Sequence, residues 1–155
     1  VKQAVAVPVV IASPAGAKQS QIAASPAAPR NDGLKETAQD YYQKGLRAQA
    51  DSDNQEAINN FIRAAELDKK YAAAYNSLGI IYEQEGKPEK AEKMYLKAIS
   101  ADAHYCPVYS NLALFNENRQ DFIQALEYWR KRVLYGDQNN EWTRRALQRV
   151  KELEQ

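Results

Sequence analysis

The stretch that decides the fold is residues 75–98, which read YNSLGIIYEQEGKPEKAEKMYLKA. In its first half apolar residues recur three or four positions apart, as Leu78 and Tyr82 do, and this spacing places them on one face of an α-helix. Its second half has the same spacing. Between the halves Gly86 can adopt a positive φ and Pro88 can open a new helix. The stretch therefore predicts a helical hairpin.

The hairpin pattern recurs along the chain with a period of 34 residues, and four columns of residues agree on that period. A fifth column has alanine at 64 and 98 but ends in Arg132, so the last copy departs from the first two. A single hairpin cannot bury its own apolar face, and we therefore predict a stack of three. The four columns are Tyr41, Tyr75 and Tyr109; Gly45, Gly79 and Ala113; Ala57, Ala91 and Ala125; Phe61, Tyr95 and Trp129.

These columns resemble those of the tetratricopeptide repeat family, whose 34-residue unit has an aromatic residue, Leu-Gly, Tyr, Ala and a second aromatic residue in this order. The resemblance covers about residues 38–139 and is best in the second copy. It implies an all-α helical-repeat solenoid, an α-α superhelix of helix-turn-helix repeats. The matching residues of the second copy are Tyr75, Leu78, Gly79, Tyr82, Ala91, Tyr95 and Ala98.

Two further segments complete the predicted organisation. Residues 1–33 are rich in Ala, Pro, Val, Ser and Gln, and their composition predicts a disordered linker before a repeat domain over residues 34–155. After the three repeats, at about 38–71, 72–105 and 106–139, an amphipathic pattern over about 140–155 predicts a capping helix with a charged outer side.

Composition and missing motifs exclude several classes of function. The formal net charge is only +1, so we expect no nucleic-acid partner. One cysteine, Cys106, and one histidine, His104, cannot build a zinc site or a disulfide scaffold. No phosphate loop, paired-cysteine motif or catalytic triad is visible, and we predict no enzyme activity, no metal and no cofactor. No apolar run is long enough to span a membrane.

The resemblance implies a concave groove lined by the first helix of each repeat. Nine positions, called here the groove positions, follow each repeat's first tyrosine column by one, five and eight residues. Their middle set is apolar and their third set becomes acidic, which favours a peptide with apolar and basic side chains. Alternatively, the apolar set merely completes the core. The groove positions are Tyr42, Asn76 and Ser110; Leu46, Ile80 and Leu114; Gln49, Glu83 and Glu117.

Two functional hypotheses follow from this pattern. The first is a non-enzymatic scaffold that binds a peptide segment of a partner protein in the groove. The alternative is a structural module that self-assembles into a homo-oligomer through its third repeat and C-terminal helix. The sequence indicates neither the partner nor the compartment, since a soluble cytoplasmic protein and one tethered or exported in the cell envelope both fit. A chaperone-tail adaptor is not expected, because Tyr42, Leu46 and Pro107 stand where such adaptors present Lys or Asn.

Overall fold

The structure, a computed structural model, describes residues 35–155, and the predicted linker of residues 1–33 lies outside them. Seven α-helices and no strand are present in the described part of the chain, which confirms the predicted all-α helical-repeat fold. The helices follow one another as three antiparallel pairs and a final single helix. They are α1 (Ala38–Ala50), α2 (Asn54–Leu67), α3 (Ala72–Gln84), α4 (Pro88–Ala101), α5 (Cys106–Asn118), α6 (Phe122–Tyr135) and α7 (Glu141–Leu153).

The turn inside each hairpin contains one residue with a left-handed backbone. These residues are Ser52, Gly86 and Gln120, with φ of 63°, 68° and 65°, and they lie one repeat length apart. Glycine adopts this conformation freely, as the sequence predicts for the middle turn. At the other two turns a residue with a Cβ carries some strain, so the hairpin geometry is kept even where the sequence lacks glycine.

Side-chain caps fix where four of the helices begin. Thr37 and Asp40 form a reciprocal capping box at the start of α1. Asp53 caps α2 and Asp121 caps α6, each by accepting a hydrogen bond from a backbone N–H in the first turn. Asn140 caps α7 in the same way. These four helix starts are therefore fixed by local hydrogen bonds, independently of the packing between hairpins.

Within a hairpin, a small residue on the first helix lies against an aromatic ring on the second. A Cβ placed on Gly45 would lie 2.5 Å from the Phe61 ring, and one placed on Gly79 would lie 2.5 Å from the Tyr95 ring. Such a distance is too short for a real contact, so a larger residue at either position would force the aromatic ring to shift. The third hairpin has Ala113 in this column.

Aromatic contacts connect each of the first two hairpins with the hairpin that follows it. The Tyr42 ring on α1 lies 5.2 Å from the ring of Tyr71, which precedes α3. Tyr95 on α4 contacts Phe115 on α5 edge to face at a centroid distance of 6.2 Å. Both Tyr42 and Tyr95 are buried. Rings of one hairpin thus fill the space beside the next.

The helix α7 covers the end of the third hairpin through its apolar side. Ala146 and Val150 are buried, and Arg144 and Arg145 are exposed, as the amphipathic pattern predicts. Thr143 is buried as well, at a position that the apolar pattern did not single out. The interface of α7 with the third hairpin therefore contains polar groups.

Candidate functional site

Four of the nine groove positions are buried in the structure. Tyr42 lies in the first core cluster with Phe61, and Ile80 lies in the second with Val108. Ile80 is only 4% exposed, so in this structure its side chain packs between helices and presents no surface to a partner. For this residue the geometry matches the alternative reading of the apolar column, completion of the core. The buried groove positions are Tyr42, Asn76, Ile80 and Ser110.

The two small polar residues among them have partners inside the protein. Asn111 Nδ2 on α5 donates to Asn76 Oδ1 on α3 over 2.9 Å, which links the first helices of two hairpins directly. Ser110 Oγ accepts from Arg132 Nε over 3.1 Å. Buried polar groups with such partners stabilise the packing between repeats. The side chains of Asn76 and Ser110 are therefore already hydrogen-bonded within the protein.

The other five groove positions are partly exposed. Leu46 lies at the edge of the first core cluster and Leu114 at the edge of the third. Gln49, Glu83 and Glu117 stand near the ends of α1, α3 and α5. The structure thus places one partly exposed leucine on each of α1 and α5 and one polar side chain on each of α1, α3 and α5.

Each of the two acids accepts a hydrogen bond from the aromatic residue twelve positions later. Tyr95 Oη donates to Glu83 Oε2 over 2.8 Å, and Trp129 Nε1 donates to Glu117 Oε1 over 2.6 Å. In the first repeat the ring is Phe61, which has no N–H or O–H to donate, and the matching position holds a glutamine. The acidic column is therefore coupled to the aromatic column. Sequence reasoning treated the two columns separately and missed this link, although their common period could have revealed it.

The two acids differ in their charge partners. Arg149 on α7 donates to both carboxylate oxygens of Glu117, from Nε over 2.8 Å and from Nη2 over 2.9 Å. These bonds to Glu117 are the main reason why the pKa of Arg149 is raised. Glu83 has no cation within ion-pair distance among the described residues. Burial raises the pKa of Glu83, and hydrogen bonds from Tyr95 and Asn118 oppose that shift.

The sequence did not predict that Arg132, on α6 of the third hairpin, is a buried structural residue. Arg132 is 5% exposed, and its guanidinium donates only to neutral oxygens: Ser110 Oγ, Thr143 Oγ1 over 2.9 Å and Asn140 Oδ1 over 3.3 Å. Burial lowers its pKa. The signal in the sequence was the break in the alanine column. The role of Arg132 depends on α7 and the loop before it, because Thr143 and Asn140 are two of its three acceptors.

Other kinds of site find no support in residues 35–155. No group of three or more His, Cys, Asp or Glu side chains in this range is arranged to hold a metal ion. None of the helices that the structure describes is long and apolar enough to cross a membrane. The geometry of the groove positions can offer a surface for binding: two leucines at its edges, one acid without a cation and one acid in an ion pair.

Comparison with known proteins agrees with the fold. The sequence model of the tetratricopeptide repeat matches residues 72–105, the second copy. No curated protein matches the chain significantly. Among solved structures, the crystal structure of MamA is 30% identical with a TM-score of 0.59 and covers 64% of this chain. The alignment spans 58% of the MamA chain, which is less than two thirds of its length.

Two solved tetratricopeptide repeat domains are similar in fold at lower identity. The first such domain of Spaghetti (RPAP3), bound to the HSP90 peptide SRMEEVD, is 17% identical, has a TM-score of 0.64 and covers 76% of this chain and 90% of its own. The domain of Sgt2 from Aspergillus fumigatus is 22% identical, also with a TM-score of 0.64, and covers 74% of this chain and 77% of its own. The predicted resemblance is confirmed: residues 72–105 match the repeat, and the described residues have the fold of such domains.

Proposed function

We propose, from the tetratricopeptide repeat fold of residues 35–155, that the chain is a protein-interaction scaffold that binds an extended or helical peptide of a partner protein on its groove face. The groove face consists of the five partly exposed groove positions Leu46, Gln49, Glu83, Leu114 and Glu117. Binding involves no cofactor and no turnover. The similar domain of Spaghetti (RPAP3), seen with a bound peptide, supports a peptide as the class of ligand.

The observation that carries the proposal is the mixed chemistry of this face. Leu46 and Leu114 offer apolar surface near its two ends, and Glu83 lies on the helix between them without a cationic partner among the described residues. Glu117 is already neutralised by Arg149. We therefore expect a ligand with two apolar side chains and a basic side chain between them.

The proposal is tested by selecting linear peptides from a random displayed library on the full chain and measuring their affinity by fluorescence polarisation. We expect Leu46→Asn and Leu114→Asn each to weaken binding by about tenfold, because burial of an apolar side chain contributes roughly 1.5–3 kcal/mol when it is complete. Ile80 is unsuitable for this test, since a polar residue there would disturb the core.

Leu134→Glu is the matched control, because Leu134 is an exposed leucine of α6 and lies outside the groove face. It should leave the affinity unchanged. The peptide SRMEEVD should not bind, because Tyr42 and Leu46 replace the Lys and Asn that grip such a tail. Circular dichroism melts verify that each variant is folded. Equal affinity of folded Leu46→Asn, Leu114→Asn and wild type for every selected peptide would place binding elsewhere and refute the proposal.

A further inference from the structure

The face formed by α6 and α7 has an open apolar cleft that the groove does not include. Its lining comes from Arg130, Val133 and Leu134 on α6 and from Leu147 and Val150 on α7, around a volume of about 260 Å³. Leu134 is 72% exposed and Leu147 is 40% exposed. Two large aliphatic side chains therefore stand exposed beside one cleft, which marks a candidate docking surface.

A corresponding cleft occurs earlier in the array, and there a third helix supplies one of its walls. Arg130, Val133, Leu134 and Val150 stand 68 residues, two repeat lengths, after Ile62, Ala65, Glu66 and Tyr82. Those four residues line a cleft of about 260 Å³ between α2 and α3, whose third wall is formed by Met94 and Lys97 of α4. No helix takes the place of α4 at the α6–α7 cleft in the part of the chain that the structure describes.

The charges beside the cleft indicate what kind of helix would cover it. Arg144 lies three residues before Leu147, and Lys151 lies four residues after it. This spacing places both cations on the same side of α7 as Leu147. Both side chains are exposed. Neither forms an ion pair with any described residue. The opposite wall is different, because Arg130 is paired with Glu154 over 2.7 Å and with Glu127 over 3.4 Å. The two cations beside the cleft that have no ion-pair partner among the described residues therefore lie on α7.

A second copy of the chain fits this face poorly. In a two-fold pairing of antiparallel α7 helices about Leu147, Arg144 of one copy would approach Lys151 of the other, and like charges in contact oppose association. An ordinary second helix of a repeat also fits imperfectly. Leu147 occupies the column of Gly45 and Gly79, where even a Cβ would meet the aromatic ring of the next helix.

We infer that the α6–α7 cleft docks an amphipathic helix of a partner protein, acidic beside its apolar stripe and with a small residue opposite Leu147, in the place that α4 takes on α2 and α3. The apolar stripe covers Leu134 and Leu147, and the acidic side chains meet Arg144 and Lys151. This surface is separate from the groove face, and its occupation does not depend on the function proposed for the groove.

Two peptides taken from the chain itself are matched probes for this inference. Residues 53–68 with Phe61→Ala form an acidic helix of the required class, with four acidic residues and one basic residue. Residues 87–102 with Tyr95→Ala form its counterpart from the next hairpin, with three acidic and four basic residues. A side-chain lactam holds each peptide helical, because free peptides of this length are mostly unfolded in water. It joins Glu89 to Lys93 in the basic peptide and the introduced pair Gln55→Glu and Asn59→Lys in the acidic peptide.

Binding of both labelled peptides to the full chain is measured by fluorescence polarisation. We expect the acidic peptide to bind at least tenfold more tightly than the basic one. Leu134→Glu in the chain should weaken the binding of the acidic peptide at least tenfold. The double variant Arg144→Glu/Lys151→Glu should reverse the preference between the two peptides. Restoring Phe61 in the acidic peptide should weaken its binding to the chain, because the ring would meet Leu147. Leu46→Asn, on the groove face and beside the first core cluster, should leave the binding of both helical peptides unchanged.

Three results would overturn the inference. The acidic peptide could fail to bind, or it could bind Leu134→Glu as tightly as wild type, in which case it occupies another surface. Sedimentation of the chain alone could instead show a dimer that Leu134→Glu dissociates, which would mean that a second copy covers the cleft. The melting curve of Leu134→Glu verifies its fold, and the exposure of this side chain predicts no change there.

Discussion

The middle hairpin, α3–α4, and the last hairpin, α5–α6, share one framework but are held to their following neighbours by different forces. The middle hairpin meets α5 through aromatic packing, such as that of Tyr95 on Phe115. The last hairpin meets α7 through Arg132, whose guanidinium reaches Thr143, and through the ion pair of Glu117 with Arg149. The two interfaces differ in degree: between repeats, aromatic packing is joined by one buried amide pair, Asn76 with Asn111, whereas the contact with α7 adds a buried guanidinium and an ion pair.

The difference has a physical reason. The helix α7 brings polar side chains to the interface, because Thr143 accepts from Arg132 and Arg149 donates to Glu117. Hydrogen bonds to a buried charge are directional, so they can fix the position of one helix where packing alone would leave it free to shift. We therefore expect polar substitutions to affect the last hairpin more than the middle one.

The largest effect should come from Arg132→Ala, which gives the last hairpin the alanine of the first two. The variant loses three hydrogen bonds from a buried cation and leaves a cavity behind α7. We expect the free energy of unfolding to fall by about 3 kcal/mol or more. Urea unfolding measures it, with exposed Lys131→Ala as a control that should change it by less than about 0.5 kcal/mol. An unchanged midpoint for Arg132→Ala would show that the hydrogen bonds of Arg132 do not hold α7 in place.

A smaller loss is expected for Gly79→Ala in the middle hairpin. The new Cβ would lie 2.5 Å from the buried Tyr95 ring, and overpacking of this kind costs about 1–3 kcal/mol. The better helix propensity of alanine offsets up to about 1 kcal/mol. A thermal melt should therefore show a lower midpoint for Gly79→Ala. The double variant Gly79→Ala/Tyr95→Leu is the control: if it does not recover part of the effect of Gly79→Ala, the ring is not the cause.

The smallest effects should have opposite signs at Glu117 and Glu83. Glu117→Gln removes the charge that pairs with Arg149 and should lower stability by about 1 kcal/mol or less, since this pair is partly exposed. Glu83→Gln removes a carboxylate whose charged form is disfavoured by burial. At pH 7 it should be at least as stable as wild type.

The pH dependence sharpens this contrast. The pKa of Glu83 is raised in the folded state, so folding favours its protonated form. Its contribution to stability is therefore greatest in acid and declines as the pH rises from the usual glutamate pKa of 4.5 through the higher folded-state pKa. Glu83→Gln should remove this decline in urea unfolding curves recorded between pH 4 and pH 7. A decline of the same size in the variant would assign it to other groups.

Most of the fold could be predicted from the sequence, because the repeat is determined by patterns among residues close together in the chain. The helical spacing, the turn at Gly86 and the glycine column of Gly45 and Gly79 all depend on short-range geometry, and the structure contains each of them. The groove positions were harder to predict. Periodicity tells which residues share a face, but it does not tell how closely the next helix covers that face, and Ile80 is buried for that reason.

The polar contacts of the last hairpin were not predictable from spacing. Arg149 and Glu117 are 32 residues apart and meet only because α7 returns across α5. Arg132 broke a column in the sequence, but its role needs acceptors from two other parts of the chain. Such pairs depend on the relative placement of helices, which a repeat pattern describes only within its own period.

The succession of hairpins along the chain also bears on how the domain folds. Neighbours in space are neighbours in sequence, so few long loops must close before contacts form, and low contact order of this kind favours fast folding. The nucleus can be any adjacent pair of hairpins, from which order spreads towards both ends. Growth towards the C-terminus finishes differently, because the last step places a charged guanidinium among neutral acceptors that only α7 and its preceding loop complete. The docking of α7 is thus the step at which a water-solvated cation must lose its hydration.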